Sequence, residues 1–169
     1  MNIALFDLDN TLIKGDSDHE WGNYLVENNY VDSKSYKEKN NMFFEKYKKG
    51  TLCPKEFALF SYEPLTKYSY KTLLEIREKF FNEKILPLVL PKAIDLVNHH
   101  KKNGDIVAIV TATNSFISKV SANFFKITHL LASNQNLLII NLQEIYKASR
   151  ASKKEKFTKS KNGLKKIIF

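Results

Sequence analysis

The residues best suited to chemistry lie near the beginning of the chain, where positions 6–12 read FDLDNTL. The mostly apolar run from Asn2 to Phe6 predicts a buried strand, and the acidic and turn-type residues that follow predict a loop. Asp7 and Asp9 stand at alternate positions on this loop, so both carboxylates can face one point. At the carboxyl edge of a parallel sheet, that point is where ligands bind.

Two carboxylates this close repel each other unless a cation or a shared proton lies between them. A helix N-cap cluster or a calcium-binding loop would also place acids here. A calcium loop needs further oxygen ligands at regular steps and a bidentate acid at its end, which the residues after Thr11 do not supply. The favoured interpretation is a site where Asp7 and Asp9 act together.

A second segment could bind an anion. Residues Ile106 to Val110 read IVAIV, an almost continuous apolar run typical of a strand in a parallel sheet, and TATN follows at 111–114. A hydroxyl group and backbone N–H groups at a helix N-terminus suit a phosphate oxygen. Alternatively, Thr113 or Ser115 caps the next helix. Both roles can coexist, because different residues serve each.

The surrounding pattern predicts the elements that position these segments. Pro91 to Asn103 has apolar residues at helical spacing, between a proline suited to a first turn and a glycine suited to a stop. Ser115 to Phe125 predicts another helix, and His129 to Ala132 predicts a third short strand. Strand, long excursion, helix, strand, helix and strand indicate an α/β core.

The excursion from Gly15 to about Ile85 predicts several helices that form a small insert over the core. Its aromatic and aliphatic residues recur at helical spacing and are expected to be core rather than ligand-stacking residues. They are Trp21, Tyr24 and Leu25, then Phe43, Phe44 and Tyr47, then Leu73, Leu74 and Ile76.

Taken together, these motifs resemble the haloacid dehalogenase superfamily, whose first motif is an apolar strand followed by Asp-x-Asp-x-Thr. Asp7, Asp9 and Thr11 match it completely, and GDSDHEW at 15–21 looks like the phosphoserine phosphatase-like branch. The resemblance implies a Rossmann-like α/β core with a parallel sheet at 1–14 and 86–140. It also implies an inserted α-helical cap at 15–85, followed by a basic segment of uncertain order at 141–169.

The resemblance also implies the reaction, a magnesium-dependent hydrolysis of a small phosphorylated metabolite such as phosphoserine. Asp7 would attack phosphorus to give an aspartyl-phosphate, and Asp9 would protonate the leaving oxygen and then activate water. Mg²⁺ would be held by Asp7 and the Asp9 backbone carbonyl. Phosphate would be bound by Thr111, Ala112 and Lys156. Thr11, Asp16 and Asn114 would support the substrate or the loop.

The family's fourth motif, which supplies further acids to the metal, has no match in this sequence. No aspartate follows Asp105, and neither Glu144 nor Glu155 lies in a Gly-Asp turn after a strand. The expectation is therefore a core that is incomplete at its C-terminal side, in a truncated chain with impaired activity. The alternatives are an inactive remnant and one part of a split phosphatase that a second polypeptide complements.

Charge and composition limit the remaining classes. The segment 141–169 holds nine of the basic residues and two acids, so it accounts for most of the formal charge of +9. A basic tail can bind nucleic acid, but a solvated terminus is the favoured interpretation. Without a signal peptide pattern or a long apolar run, the expected location is cytoplasmic and no membrane partner is expected.

Overall fold

The computed structural model describes residues 2–133, which form three strands and a series of helices. The strands are β1 (Ile3–Phe6), β2 (Ile106–Asn114) and β3 (His129–Ser133). The α-helices are α1 (Ser17–Glu27), α2 (Ser33–Lys48), α3 (Pro54–Tyr62), α4 (Tyr70–Phe80), α5 (Pro91–Lys102) and α6 (Ser115–Phe124). A 3₁₀ turn at Glu63–Thr66, a π-helical turn at Phe81–Ile85 and a 3₁₀ turn at Leu86–Leu88 complete the chain between α3 and α5.

The three strands form one parallel sheet in the order β1-β2-β3. Ile3 pairs with Ile106, and Ile109 pairs with Leu130, so the apolar runs lie side by side. The sequence predicted all three strands, and the structure confirms them. β2 continues to Asn114, beyond the predicted end, with a shift in its register between Val110 and Asn114. The irregular end of β2 is the part that enters the site.

The two faces of the sheet differ within the described residues. Because successive parallel strands are joined by right-handed crossovers in one direction, α5 and α6 pack on the same face. On that face Phe6, Val107 and Ile109 are buried. The opposite face exposes apolar side chains from all three strands. These are Ile3, Leu5, Val110 and Leu131.

The residues between β1 and α5 form helices, as the spacing of their apolar residues predicts. Side-chain caps fix two of the starts: Asp16 accepts from the His19 N–H at α1, and Ser69 accepts from the Thr72 N–H at α4. This helical insert is joined to the core through Trp21, whose ring packs edge-on against Phe80 and Phe116.

An α/β fold with a parallel sheet and a helical insert is therefore confirmed. The exact divisions at 14/15, 85/86 and 140/141 stay predictions. The end of the predicted core at 134–140 and the basic segment at 141–169 lie outside the described residues. Among the helices that the structure describes, none is long and apolar enough to cross a membrane.

Candidate active site

A tight turn fixes the loop that follows β1. The Leu8 carbonyl accepts three backbone hydrogen bonds, from the N–H groups of Thr11, Leu12 and Ile13. Asn10 has a positive φ of 57°, which asparagine tolerates better than most residues, and its N–H donates to the Gly15 carbonyl at 3.0 Å. The loop is therefore closed on itself, and the carboxylates on either side of Leu8 keep a fixed relation.

Asp7 presents its carboxylate to the pocket above the sheet edge. Asp7 is exposed, whereas Leu8 beside it is fully buried and anchors the loop. One carboxylate oxygen, Oδ1, accepts from the Leu8 N–H at 2.8 Å. This contact orients the carboxylate while its other oxygen remains accessible from the pocket, as a nucleophile requires.

Asp9 is held from both sides. Its Oδ1 accepts from the Ser17 backbone N–H at 2.8 Å, and its Oδ2 accepts from the Thr113 hydroxyl. Burial raises the pKa of Asp9, and the hydrogen bonds from Thr113 and Ser17 oppose that rise. A carboxyl group in this setting exchanges a proton more readily at neutral pH than an exposed aspartate does.

The end of β2 supplies the opposite side of the site. Thr111 and Ala112 line the pocket, and the Thr113 N–H donates to the Thr111 hydroxyl oxygen at 3.1 Å. The cap of α6 is Asn114, whose side-chain oxygen accepts from the Ile117 N–H at 2.9 Å. The alternative that Thr113 or Ser115 caps this helix is therefore wrong, because the Thr113 hydroxyl is directed at Asp9.

Two further acids enter the pocket from the first turn of the helical insert. Asp16 caps α1, and burial raises its pKa. Asp18 Oδ1 accepts from the Asn114 side-chain amide at 2.7 Å. Burial raises the pKa of Asp18 well above its ordinary value, and the nearby charges of Asp16 and Asp9 raise it further. Asn114 thus connects the core to an acid of the insert.

These groups surround a pocket of about 870 Å³ between the sheet edge and helices α2 and α3. The core contributes Asp7, Asp9, Thr111, Ala112, Thr113 and Ser133 to its lining. The insert contributes Asp16, Asp18, His19, Asn40, Phe43, Phe44, Tyr47, Gly50, Leu52, Pro54, Lys55, Phe57, Ala58 and Tyr62. The insert therefore lies over the edge that carries Asp7.

The structure brings most of the predicted site residues together. Those lining the pocket are Asp7, Asp9, Asp16, Thr111 and Ala112, and Asn114 lies just behind them. Thr11 is exposed and outside the pocket, where its N–H closes the turn. Lys156 lies outside the described residues. The sequence yielded no prediction for Asp18 and predicted Thr113 only as a possible helix cap. Both residues lie inside the matched motifs, and that position was the signal that could have identified them.

The donor atoms suit magnesium in kind but not in number. Mg²⁺ prefers near-octahedral oxygen coordination, and the Asp7 carboxylate and the Asp9 carbonyl are oxygen donors of the right type. Across residues 2–133, no group of three or more His, Cys, Asp or Glu side chains is arranged to hold a metal ion. The described residues therefore provide part of a magnesium site.

Comparison with known proteins shows the family of the chain. A family model described as haloacid dehalogenase-like hydrolase matches residues 4–157. A histidinol-phosphatase from Neisseria meningitidis serogroup C (strain 8013) is 37% identical over 132 residues, which cover 78% of this chain and 60% of that protein. The chain thus spans about three fifths of the length of this curated relative.

Solved structures also resemble this chain over about three fifths of their own length. A protein of unknown function from Bordetella pertussis Tohama I superposes with a TM-score of 0.73 at 35% identity, over 79% of this chain and 60% of that one. A phosphoserine phosphohydrolase-like protein from Francisella tularensis subsp. tularensis SCHU S4 gives a TM-score of 0.53 at 19% identity, over 78% and 58%. At that identity, the second likeness shows the fold alone.

Proposed function

The chain belongs to the haloacid dehalogenase-like hydrolases, and we propose that it hydrolyses a phosphate monoester through an aspartyl-phosphate on Asp7. The observation that carries this proposal is the pairing of two carboxylates at one sheet edge. Asp7 is exposed at the pocket, and the half-buried Asp9 accepts from the Thr113 hydroxyl and the Ser17 N–H. The two groups have the different environments that a nucleophile and a proton donor need.

In the first step, an Asp7 oxygen attacks phosphorus, and the bond from phosphorus to the leaving oxygen breaks. Asp9 donates its proton to that oxygen, so the leaving group departs as an alcohol. Burial, which raises the pKa of Asp9, favours the protonated form needed here. In the second step, ionised Asp9 takes a proton from water, which attacks the aspartyl-phosphate and releases inorganic phosphate.

The end of β2 is proposed to bind the phosphate oxygens. The Thr111 hydroxyl oxygen accepts from the Thr113 N–H, so its own proton is directed elsewhere and can be donated to phosphate. Ala112 lines the same pocket. We propose Lys156 as the cation that neutralises the phosphate, on the strength of its place in the sequence.

Magnesium is proposed as the cofactor, with Asp7 and the Asp9 carbonyl as its ligands. When bound, it neutralises phosphate charge and helps to align the ester for in-line attack. Between residues 134 and 169 the acidic side chains are Glu144 and Glu155. We propose that one of them adds an oxygen ligand to the metal. That a second polypeptide supplies the missing ligands stays a prediction.

For the substrate, we propose L-histidinol phosphate. The support is the name of the Neisseria relative, histidinol-phosphatase, at 37% identity over 78% of this chain. Phosphoserine, which the motif resemblance implies, is the second choice, because the phosphoserine phosphatase-like structures share less than a fifth of their residues with this chain. Both esters carry a protonated amine, and they differ in the remaining substituent, which is an imidazolylmethyl group in L-histidinol phosphate and a carboxylate in phosphoserine.

The test is phosphate release by the purified chain with Mg²⁺ on L-histidinol phosphate, O-phospho-L-serine and a simple alkyl phosphate. We expect turnover that requires Mg²⁺, is fastest with L-histidinol phosphate and is lost in Asp7→Asn. Equal turnover by Asp7→Asn would exclude the mechanism, and no turnover on any ester would exclude the function for this chain.

A further inference from the structure

The pocket extends well beyond the carboxylates that act on phosphorus. Its volume of about 870 Å³ is far larger than a phosphate group needs, and the added space is walled by the helical insert. The His19 ring stacks on Phe44, with centroids 4.1 Å apart and planes at 15°, and Tyr47 stands on the same helix as Phe44, one turn away. A flat, partly aromatic wall therefore faces the core edge.

Asp18 lines the same pocket and is held there in an unusual way. Its Oδ1 is held by the Asn114 amide at 2.7 Å, and Asn114 is itself fixed as the cap of α6. The carboxyl group is therefore oriented by the core although it belongs to the insert. Such a rigid second support is typical of a group that binds a ligand rather than one that is merely solvated.

The charges around Asp18 leave it without a compensating cation in the described part of the chain. The groups that perturb it are the like charges of Asp16 and Asp9, and its only favourable contact among them is the neutral amide of Asn114. Placing an acid here costs free energy, because burial disfavours the carboxylate. A cationic ligand group beside Asp18 would remove that cost.

We propose that Asp18 binds a cationic nitrogen of the substrate's leaving group, whose planar ring lies against the wall formed by His19, Phe44 and Tyr47. This inference rests on the proposed function, because it assigns the part of the ester that is not phosphate. The substrate class is an amino alcohol phosphate with an aromatic or heteroaromatic ring. Asp18 acts in recognition and takes no part in the chemical step.

The experiment separates recognition from turnover by using ligands without phosphate. Binding of L-histidinol is compared with binding of 3-(imidazol-4-yl)propan-1-ol, which is the same molecule without its amino group, and of serinol, which has no ring. Titrations into the full chain by calorimetry or NMR extend into the millimolar range, as expected for ligands of this size. We expect L-histidinol to bind about tenfold more tightly than either analogue.

Two variants test which residues cause the preference for L-histidinol. Asp18→Asn keeps the size of the side chain and an oxygen that accepts from Asn114, and it should bind L-histidinol no better than the deamino analogue. Its control is Glu20→Gln, which removes a carboxylate from the same helix outside the pocket lining.

Tyr47→Ala should weaken the binding of both imidazole ligands equally. Its control is Tyr70→Ala, since Tyr47 and Tyr70 are 52% and 58% exposed and only Tyr47 lines the pocket.

Each binding result supports or overturns a specific part of the proposal. Equal binding of L-histidinol and its deamino analogue by the parent protein, or a preference that survives Asp18→Asn, overturns the role of Asp18. Absence of saturable L-histidinol binding overturns the whole subsite. A chain that releases no phosphate yet shows the expected preferences refutes the proposed function alone, whereas turnover without the preferences refutes only this inference.

Discussion

The sheet edge and the helical insert contribute to the same pocket in different ways. The edge provides Asp7 and Asp9 from one short loop, where they accept hydrogen bonds from the N–H groups of Leu8 and Ser17. Thr113 reaches Asp9 from the end of β2.

The insert provides a wall whose members are spread along three helices. Packing and hydrogen bonds between helices, such as that from Asn40 to the His19 carbonyl, bring them together. The two carboxylates proposed to act on phosphate are therefore positioned mainly by nearby backbone groups, whereas the groups proposed to select the rest of the ester depend on the tertiary structure.

The insert also has two layers. Its inner layer includes Trp21, Tyr24 and Phe80, which are almost completely buried, and Trp21 reaches across to Phe116 of the core. Its outer layer includes Phe44 and Tyr47, which line the pocket. The first layer should control folding and the second should control binding, so substitutions can separate the two.

The largest effect should come from the edge, at the nucleophile. Asp7→Asn cannot form an acyl-phosphate, so we expect phosphate release to fall at least about a thousandfold, to background. Because Asp7 is exposed, the urea midpoint should change little. Phosphate release and the urea midpoint are measured on the same preparation. A large loss of stability would mean that Asp7 is structural.

The next effect should come from the inner layer of the insert. Trp21→Ala removes a large buried ring that contacts Phe80 and Phe116, and we expect a loss of about 3–5 kcal/mol in the free energy of unfolding. Tyr47→Ala in the outer layer should cost less than about 1 kcal/mol. Urea denaturation followed by far-UV circular dichroism measures both; similar losses would contradict the two-layer description.

These two layers also mark the limit of what the sequence predicted. The strands followed from apolar runs, and the helices followed from spacing and from signals such as Pro91 and Gly104. Which aromatic residue faces the core and which faces the pocket did not follow. The sequence favoured a core role for all of them, which is correct for Trp21 and Tyr24, but Phe44 and Tyr47 line the pocket.

The site shows the same limit at Thr113 and Asp18. Asp7 and Asp9 could be found because a two-residue repeat after a strand is a local pattern. The contact of Thr113 with Asp9 joins residues 104 positions apart, and that of Asn114 with Asp18 joins residues 96 apart. Both depend on the irregular end of β2, where the register shifts. No periodicity in the sequence encodes that shift.

A smaller effect should appear at Thr113, whose hydroxyl donates to Asp9. Thr113→Val keeps the shape but removes the hydroxyl, and loss of one hydrogen bond to a charged group should lower kcat about tenfold or more with little change in KM. Thr113→Ser keeps the hydroxyl and should restore most of the rate. If serine fails as badly as valine, packing of the methyl group explains the effect instead.

The smallest effect concerns Asp18 and links the two regions through pH. Burial, aided by the charges of Asp16 and Asp9, holds the pKa of folded Asp18 above the value of 3.8 that it has when exposed. Below that value Asp18 is protonated in both folded and unfolded chains and costs nothing. As pH rises through the raised pKa, ionisation penalises the folded state, so stability is lost.

Asp18→Asn removes this penalty, so the variant should melt above the parent at neutral pH, and the difference should shrink towards zero as pH falls to the exposed value. The difference between parent and variant isolates Asp18 from Asp9 and Asp16, whose pKa values burial also raises. Glu20→Gln on the same helix is the control for a lost negative charge. Scanning calorimetry across this pH range measures the trend. A variant that is less stable at neutral pH would mean that a cation already compensates Asp18 in the free protein. The positive charge beside Asp18 would then not have to come from the substrate.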